Sequence, residues 1–138
     1  MAERRVVAPE VVAGWAVAAA RAAASKTEEP TVVLDVGDVL SITSYFVITG
    51  GRNARQVKTV AEEVEAAVVA AGGPRPLRTE GLDSLRWVLV DYGDFVVHVL
   101  LDEARHYYEL ERLWADVPRL AWADPAADGP GQPDAAQA

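Results

Sequence analysis

Apolar residues repeat with a helical period in two long stretches of this chain and alternate with other residues elsewhere. Val11, Val12, Trp15, Ala19 and Ala22 share one face of a first helix, with Pro9 at its first turn. Residues 25–30 read as a polar linker. Residues 31–36 read as a Val-rich strand, Gly37-Asp38 as a turn and residues 44–49 as a second strand, which Gly50-Gly51 breaks. Asn53 is placed to cap a second helix, with Gln56 three residues on as its capping-box partner. Val57, Val60, Ala61, Val64, Val68 and Ala71 then form a buried stripe that ends at Gly72-Gly73-Pro74. Residues 74–85 are irregular, with a short strand near Thr79-Glu80-Gly81. Residues 87–91 and 94–101 make a hairpin around Tyr92-Gly93. Asp102 caps a final helix that includes Tyr108, Leu110, Leu113 and Trp114. The order of helix, two strands, helix, hairpin and helix predicts a single α/β domain, a mixed sheet flanked by helices.

The hairpin holds the most informative pattern. With a turn of two or four residues, Asp91 faces Asp94, Leu89 faces Val96 and Trp87 faces His98. One face then carries Trp87, Leu89, Asp91, Asp94, Val96 and His98. The other, Val88, Val90, Phe95, Val97 and Val99, is wholly apolar and is expected to pack on the helices. Two readings of the mixed face stand. It is an interaction surface with an aromatic anchor and charged edges, or it is a half-solvated sheet whose acids cap a turn.

Composition narrows the function classes. Among 138 residues, 51% are hydrophobic, enough to fill one core, and the absence of Cys excludes disulfides, thiolate zinc sites and Cys nucleophiles. The formal net charge of −8 and pI of about 4.7 disfavour broad nucleic-acid binding and suit a basic protein partner. Arg4 and Arg5 ahead of an apolar run resemble a secretory signal. Glu10 and Arg21 bracket that run, however, and it is Ala-rich and too short to span a bilayer, which favours a helix of the fold. No motif for a serine hydrolase, P-loop, zincin or dinucleotide site occurs. His98 and His106 lack the spacing of a helical metal pair. A strand running into Gly50-Gly51 and a helix, with acids on a later strand, gives an enzymatic alternative: a nucleotidyltransferase that uses metal ions. Asp91 and Asp94 lie across a turn rather than as a D-x-D pair, so no residue receives a catalytic or metal-binding role.

A succession of short motifs carries a resemblance. Ser44-Tyr-Phe-Val-Ile-Thr-Gly50 is followed by Arg55-Gln56-Val57, Glu80-Gly81, Trp87-Val-Leu-Val-Asp-Tyr-Gly-Asp94, Val97-His98-Val99 and Tyr108-Glu-Leu-Glu-Arg-Leu-Trp114. Their order and spacing closely resemble the ribosomal silencing factor family, also called Iojap-like, over residues 8–118. The resemblance implies a nucleotidyltransferase-like fold without transferase activity or cofactor, in a cytoplasmic protein. It implies binding to ribosomal protein L fourteen at the large-subunit face that meets the small subunit. That would block subunit joining and repress translation when nutrients are short. It also implies that free copies can self-associate. Glu80, Trp87, Asp91, Tyr92, Asp94 and His98 carry over as the contact set, with Tyr108 and Glu109 following on the next helix. Leu89 joins them from the alternation. Ser44 stands where the family often has an acid. Residues 1–8 are expected to be a short arm, 9–122 the domain, and 123–138 a disordered acidic tail with no family counterpart.

Overall fold

In the computed structural model, the structure describes residues 7–123. The bulk of the expected arm (residues 1–6) and of the expected tail (residues 124–138) therefore lies outside the described residues. The elements are α1 (Pro9–Ala24), β1 (Val32–Asp35), β2 (Tyr45–Gly51), α2 (Ala54–Ala70), β3 (Arg78–Glu80), β4 (Trp87–Asp91), β5 (Phe95–Leu101), α3 (Asp102–Tyr108) and α4 (Leu110–Leu113). The strands form a five-stranded sheet in the order β1-β2-β5-β4-β3. β2 and β5 run parallel and the other neighbours antiparallel. The mixed-sheet α/β expectation therefore holds.

The two apolar patterns become two cores. Val33, Val47, Val88, Val90, Phe95, Val97 and Val99 point to one side of the sheet, where they meet Val12, Ala16, Ala19, Ala20 and Ala23 of α1 and the Val57–Val68 stripe of α2. The alanines let α1 approach closely, so the run that resembles a signal is core helix. Asn53 caps α2 by accepting the Gln56 N–H at 2.8 Å, while Gln56 returns its bond to the Arg52 N–H rather than to Asn53. The helix closes with N–H donation from Gly73 to Val68 O and from Gly72 to Val69 O, the Schellman pattern that Gly72-Gly73 suggested.

On the other side of the sheet Leu34, Ile48 and Leu100 cluster with Val36, just after β1, and Ala104 of α3, and Phe46, Trp87, Leu110, Trp114 and Val117 pack against them. This second core is where the structure departs from expectation. The final helix is broken at Glu109, which adopts a left-handed conformation (φ 49°). Beyond α4 the chain returns along β1: Asp35 N–H donates to Pro118 O, and Leu120 N–H to Val33 O. Leu34 and Arg119 form an antiparallel bridge. Trp122 donates its indole N–H to Thr31 O, and Arg21 Nε donates to Trp122 O at 2.7 Å. This strap covers an otherwise open sheet edge. Gly50-Gly51 does not break β2 but belongs to it.

Candidate functional site: the mixed face of the β4–β5 hairpin

The two faces of the hairpin are as the alternation predicts, but the register is not. Asp91 pairs with Val96, Leu89 with His98 and Trp87 with Leu100. Tyr92 N–H donates to Phe95 O, so Tyr92 extends the ladder and Gly93-Asp94 is the turn. Gly93 takes φ 85°, which a first turn position of this kind requires. The Asp91 carboxylate accepts the Gly93 N–H at 2.8 Å and fixes the turn there. The expected pairs Asp91–Asp94, Leu89–Val96 and Trp87–His98 are thus displaced by two residues. A shift of two preserves parity, so each strand keeps its mixed and apolar faces.

Tyr92 is the clearest correction. It is buried (5% exposed) in the helix-side core, stacked on Phe95 with ring centroids 4.5 Å apart. Burial, then the Glu65 charge, raises its phenol pKa. Its side chain lies away from the surface that carries the other candidates.

Trp87 is half-buried and meets Tyr108 of α3 at a centroid distance of 4.9 Å. Its indole N–H donates to His98 Nδ1 at 3.1 Å. The mixed face is therefore not free of helices at this end, contrary to expectation. His98 is 6% exposed and contacts Phe46 edge-on at 4.8 Å; Phe46 in turn meets Trp114 at 5.4 Å. Burial lowers the His98 pKa to about 4, against the raising effect of Asp91. The ring is neutral near pH 7, and because Nδ1 accepts a bond its proton sits on Nε2. That buried nitrogen has no partner among the described residues.

The outer part of the face is solvent-accessible. Leu89 is half-buried between His98 and exposed Glu80, its neighbour on β3. Arg78 Nε lies 3.3 Å from Asp91 and 3.4 Å from Glu80, so these acids form a small ion network. Asp94 sits in the turn, where its carbonyl accepts the Ser44 N–H. Tyr108 and Glu109 are exposed at the opposite end, and Glu109 pairs with Arg112 at 2.8 Å. The structure thus gathers Glu80, Leu89 and Asp91 into one strip, with Trp87 and Tyr108 at one end and Asp94 at the other.

The family-model comparison matches residues 9–138 to "Ribosomal silencing factor during starvation". The chain belongs to the ribosomal silencing factor family. The Bacillus subtilis ribosomal silencing factor RsfS is 40% identical over 100 residues, spanning 72% of this chain and 84% of that protein. A crystal structure of a Chromobacterium violaceum protein superposes with TM-score 0.68 at 31% identity, covering 88% of this chain and 98% of that one. A mouse protein named for mitochondrial assembly of the ribosomal large subunit is 33% identical over 85 residues, 59% of this chain and 37% of its own length.

In this silencing-factor fold the residues that suggested a transferase are far apart. Gly50-Gly51 pairs with Leu100-Leu101 at one end of the sheet, whereas Asp91 pairs with Val96 at the other. Five residue steps of strand lead from Val96 to Leu101, a span of about 17 Å. The acids considered for metal ions therefore do not lie beside the glycines. The glycines answer to packing instead. A Cβ at Gly50 would lie 2.7 Å from Leu100 O and 3.4 Å from Arg105 Nη1. The space admits the buried Arg105 guanidinium, which donates to Pro30 O at 2.6 Å and, through Nε and Nη2, to one Glu111 carboxylate oxygen at 3.0 and 2.6 Å. Arg105 was not singled out in the sequence. The signal for it was Gly50, read in the sequence as part of a strand break and of the transferase alternative.

Proposed function

We propose that this protein docks on the large ribosomal subunit through ribosomal protein L fourteen and sterically keeps the small subunit from joining, repressing translation in the cytoplasm when nutrients are limiting. It does so without catalysis. Membership of the silencing factor family carries this reading. The hairpin face supplies a surface of suitable chemistry. Leu89 and the exposed edge of the Trp87–Tyr108 pair offer apolar contact, and Glu80, Asp91 and Asp94 offer negative charge to a basic protein. The mouse relative's name points to the same subunit. Trp87 acts as a rigid platform, since its indole is already bonded to His98.

Purified protein should co-sediment with isolated large subunits and lower the yield of joined ribosomes. Leu89→Arg, at a half-exposed position, should leave the fold intact and weaken subunit binding by roughly tenfold or more, as loss of a central contact does. Glu80→Lys with Asp94→Lys should chiefly slow association at low salt. Co-sedimentation with small subunits alone, or unaltered binding by Leu89→Arg, would count against the reading. Incubation with nucleoside triphosphates and magnesium should yield no transfer product, and turnover abolished by Asp91→Ala would restore the enzymatic alternative.

A further inference from the structure

The chain carries a formal charge of −8, yet its cations are unevenly used. Arg78, Arg86, Arg105 and Arg112 each lie within ion-pair distance of a carboxylate, and Arg21 is turned onto Trp122 O. Lys26, Arg52, Arg55 and Lys58 are all exposed and form no ion pair among the described residues. They also lie together. Arg55 and Lys58, three residues apart on α2, share a helix face. Arg52 directly precedes the cap Asn53, and its N–H is held by Gln56 Oε1 at 2.8 Å. The other end of the Gln56 amide donates to Lys26 O at 3.1 Å, pinning the turn after α1 against the same helix start. The first turn of α2 holds no acid. The acids nearest in sequence, Glu28, Glu29 and Glu62, pair with none of the four.

Among the described residues no carboxylate lies within ion-pair distance of this group, which leaves it open to a counter-charge from outside. The four exposed side chains stand on a helix start and an adjoining turn. That arrangement follows a line of negative charges better than it encloses one small anion. Arg52 continues directly from β2, whose last residue Gly51 pairs with Leu101, one step beyond the Trp87–Leu100 level. The group therefore lies toward the Trp87 end of the sheet, on its α1–α2 side rather than on the mixed face. We infer that Lys26, Arg52, Arg55 and Lys58 contact the phosphate backbone of large-subunit RNA next to the protein docking point. This rests on the proposed subunit binding and gives it a second, sequence-independent point of attachment. The contact is local, consistent with an overall charge that opposes broad nucleic-acid binding.

The test is the salt dependence of affinity for whole large subunits and for isolated ribosomal protein L fourteen, using the full chain and its Lys26→Gln, Arg52→Gln, Arg55→Gln, Lys58→Gln variant. All four side chains are exposed, and circular dichroism and melting will check that the variant is folded. Each phosphate contact adds about 0.7–0.9 to the log–log salt slope, so four contacts add about 3. Between about 50 and 200 mM salt, the original protein should lose roughly sixtyfold more affinity for subunits than the variant loses. Binding to isolated L fourteen should be the same for both. Ultraviolet crosslinking of the original protein on the subunit should label RNA, and the variant should lose that label. Equal salt slopes on subunits, or a charge-dependent crosslink to an acidic protein in place of RNA, would overturn the inference and leave subunit binding standing. Failure of the original protein to bind subunits at any salt would instead overturn the function reading and this inference with it.

Discussion

Glu111→Leu should lower the unfolding free energy by about 3–5 kcal/mol. Its partner Arg105 has a side chain only 9% exposed and sends two of its donors to Glu111. Removing the carboxylate leaves a desolvated guanidinium whose remaining acceptor among the described residues is the Pro30 carbonyl. In a domain of this size the melting temperature should fall by roughly 10–20 °C. Arg105→Met should cost less, because the Glu111 side chain it would strand is 27% exposed and can hydrate. Burial works to raise the Glu111 pKa, and the Arg105 hydrogen bonds and charge outweigh it, holding the carboxyl below its usual range. The double variant Arg105→Met, Glu111→Leu should recover most of the loss, since an apolar pair replaces a buried ion pair at little net cost. Chemical denaturation of all three variants measures this. A double variant as unstable as Glu111→Leu would mean that Arg105 contributes by filling space beside Gly50, not by its charge.

That ion pair also shows where local pattern stops being informative. The elements with strong periodicity were legible: the α2 stripe from Val57 to Val68, the Asn53 cap, the Gly72-Gly73 close and the alternation of Val88, Val90, Val97 and Val99. Each depends on neighbours a few residues away. The hairpin register differs from the expected one because Tyr92-Gly93 is a plausible turn by composition. What moved the turn was the Asp91 carboxylate on Gly93 N–H together with the gain from burying Tyr92 on Phe95. Extending the alternation by one residue puts Tyr92 with Val88 and Val90; the family resemblance put it with the contact residues, and the structure sides with the alternation. The break at Glu109 and the strap over β1 were not legible. Both serve contacts with residues far back in the chain: Arg105 with Pro30, Pro118 with Asp35, and Trp122 with Thr31 and Arg21. Of the candidate site, the outward placement of Leu89 and Asp91 was readable from alternation, whereas Glu80 came from the family resemblance. The helix cover over Trp87 was not, because it depends on where the chain goes after Tyr108.

Acid should loosen the same face through His98. Burial holds its pKa at about 4 in the folded state, well below the usual histidine value near 6.5. Between those two values the unfolded chain binds more protons than the folded one. Stability from this group is therefore complete above about pH 6.5 and is lost as pH falls toward about 4. The full loss is about 3 kcal/mol, with about 2 kcal/mol already gone between about pH 7 and pH 5. Glu111, whose folded pKa lies below its usual value, adds its own loss only in more acidic solution. The interval from about pH 7 to pH 5 therefore reports mainly on His98. Protonation would place a hydrogen on His98 Nδ1, directly against the indole N–H of Trp87, turning a donor–acceptor pair into two opposed donors. The expected result is a falling urea midpoint over that pH interval, accompanied by a change in tryptophan fluorescence. In His98→Asn the amide oxygen can still accept the indole bond, but nothing titrates. That variant should be less stable than the original protein at pH 7 and nearly flat to pH 5. A slope as steep in His98→Asn as in the original protein would place the acid sensitivity elsewhere. It would also leave the Trp87–His98 bond without the part assigned to it in keeping the docking face rigid.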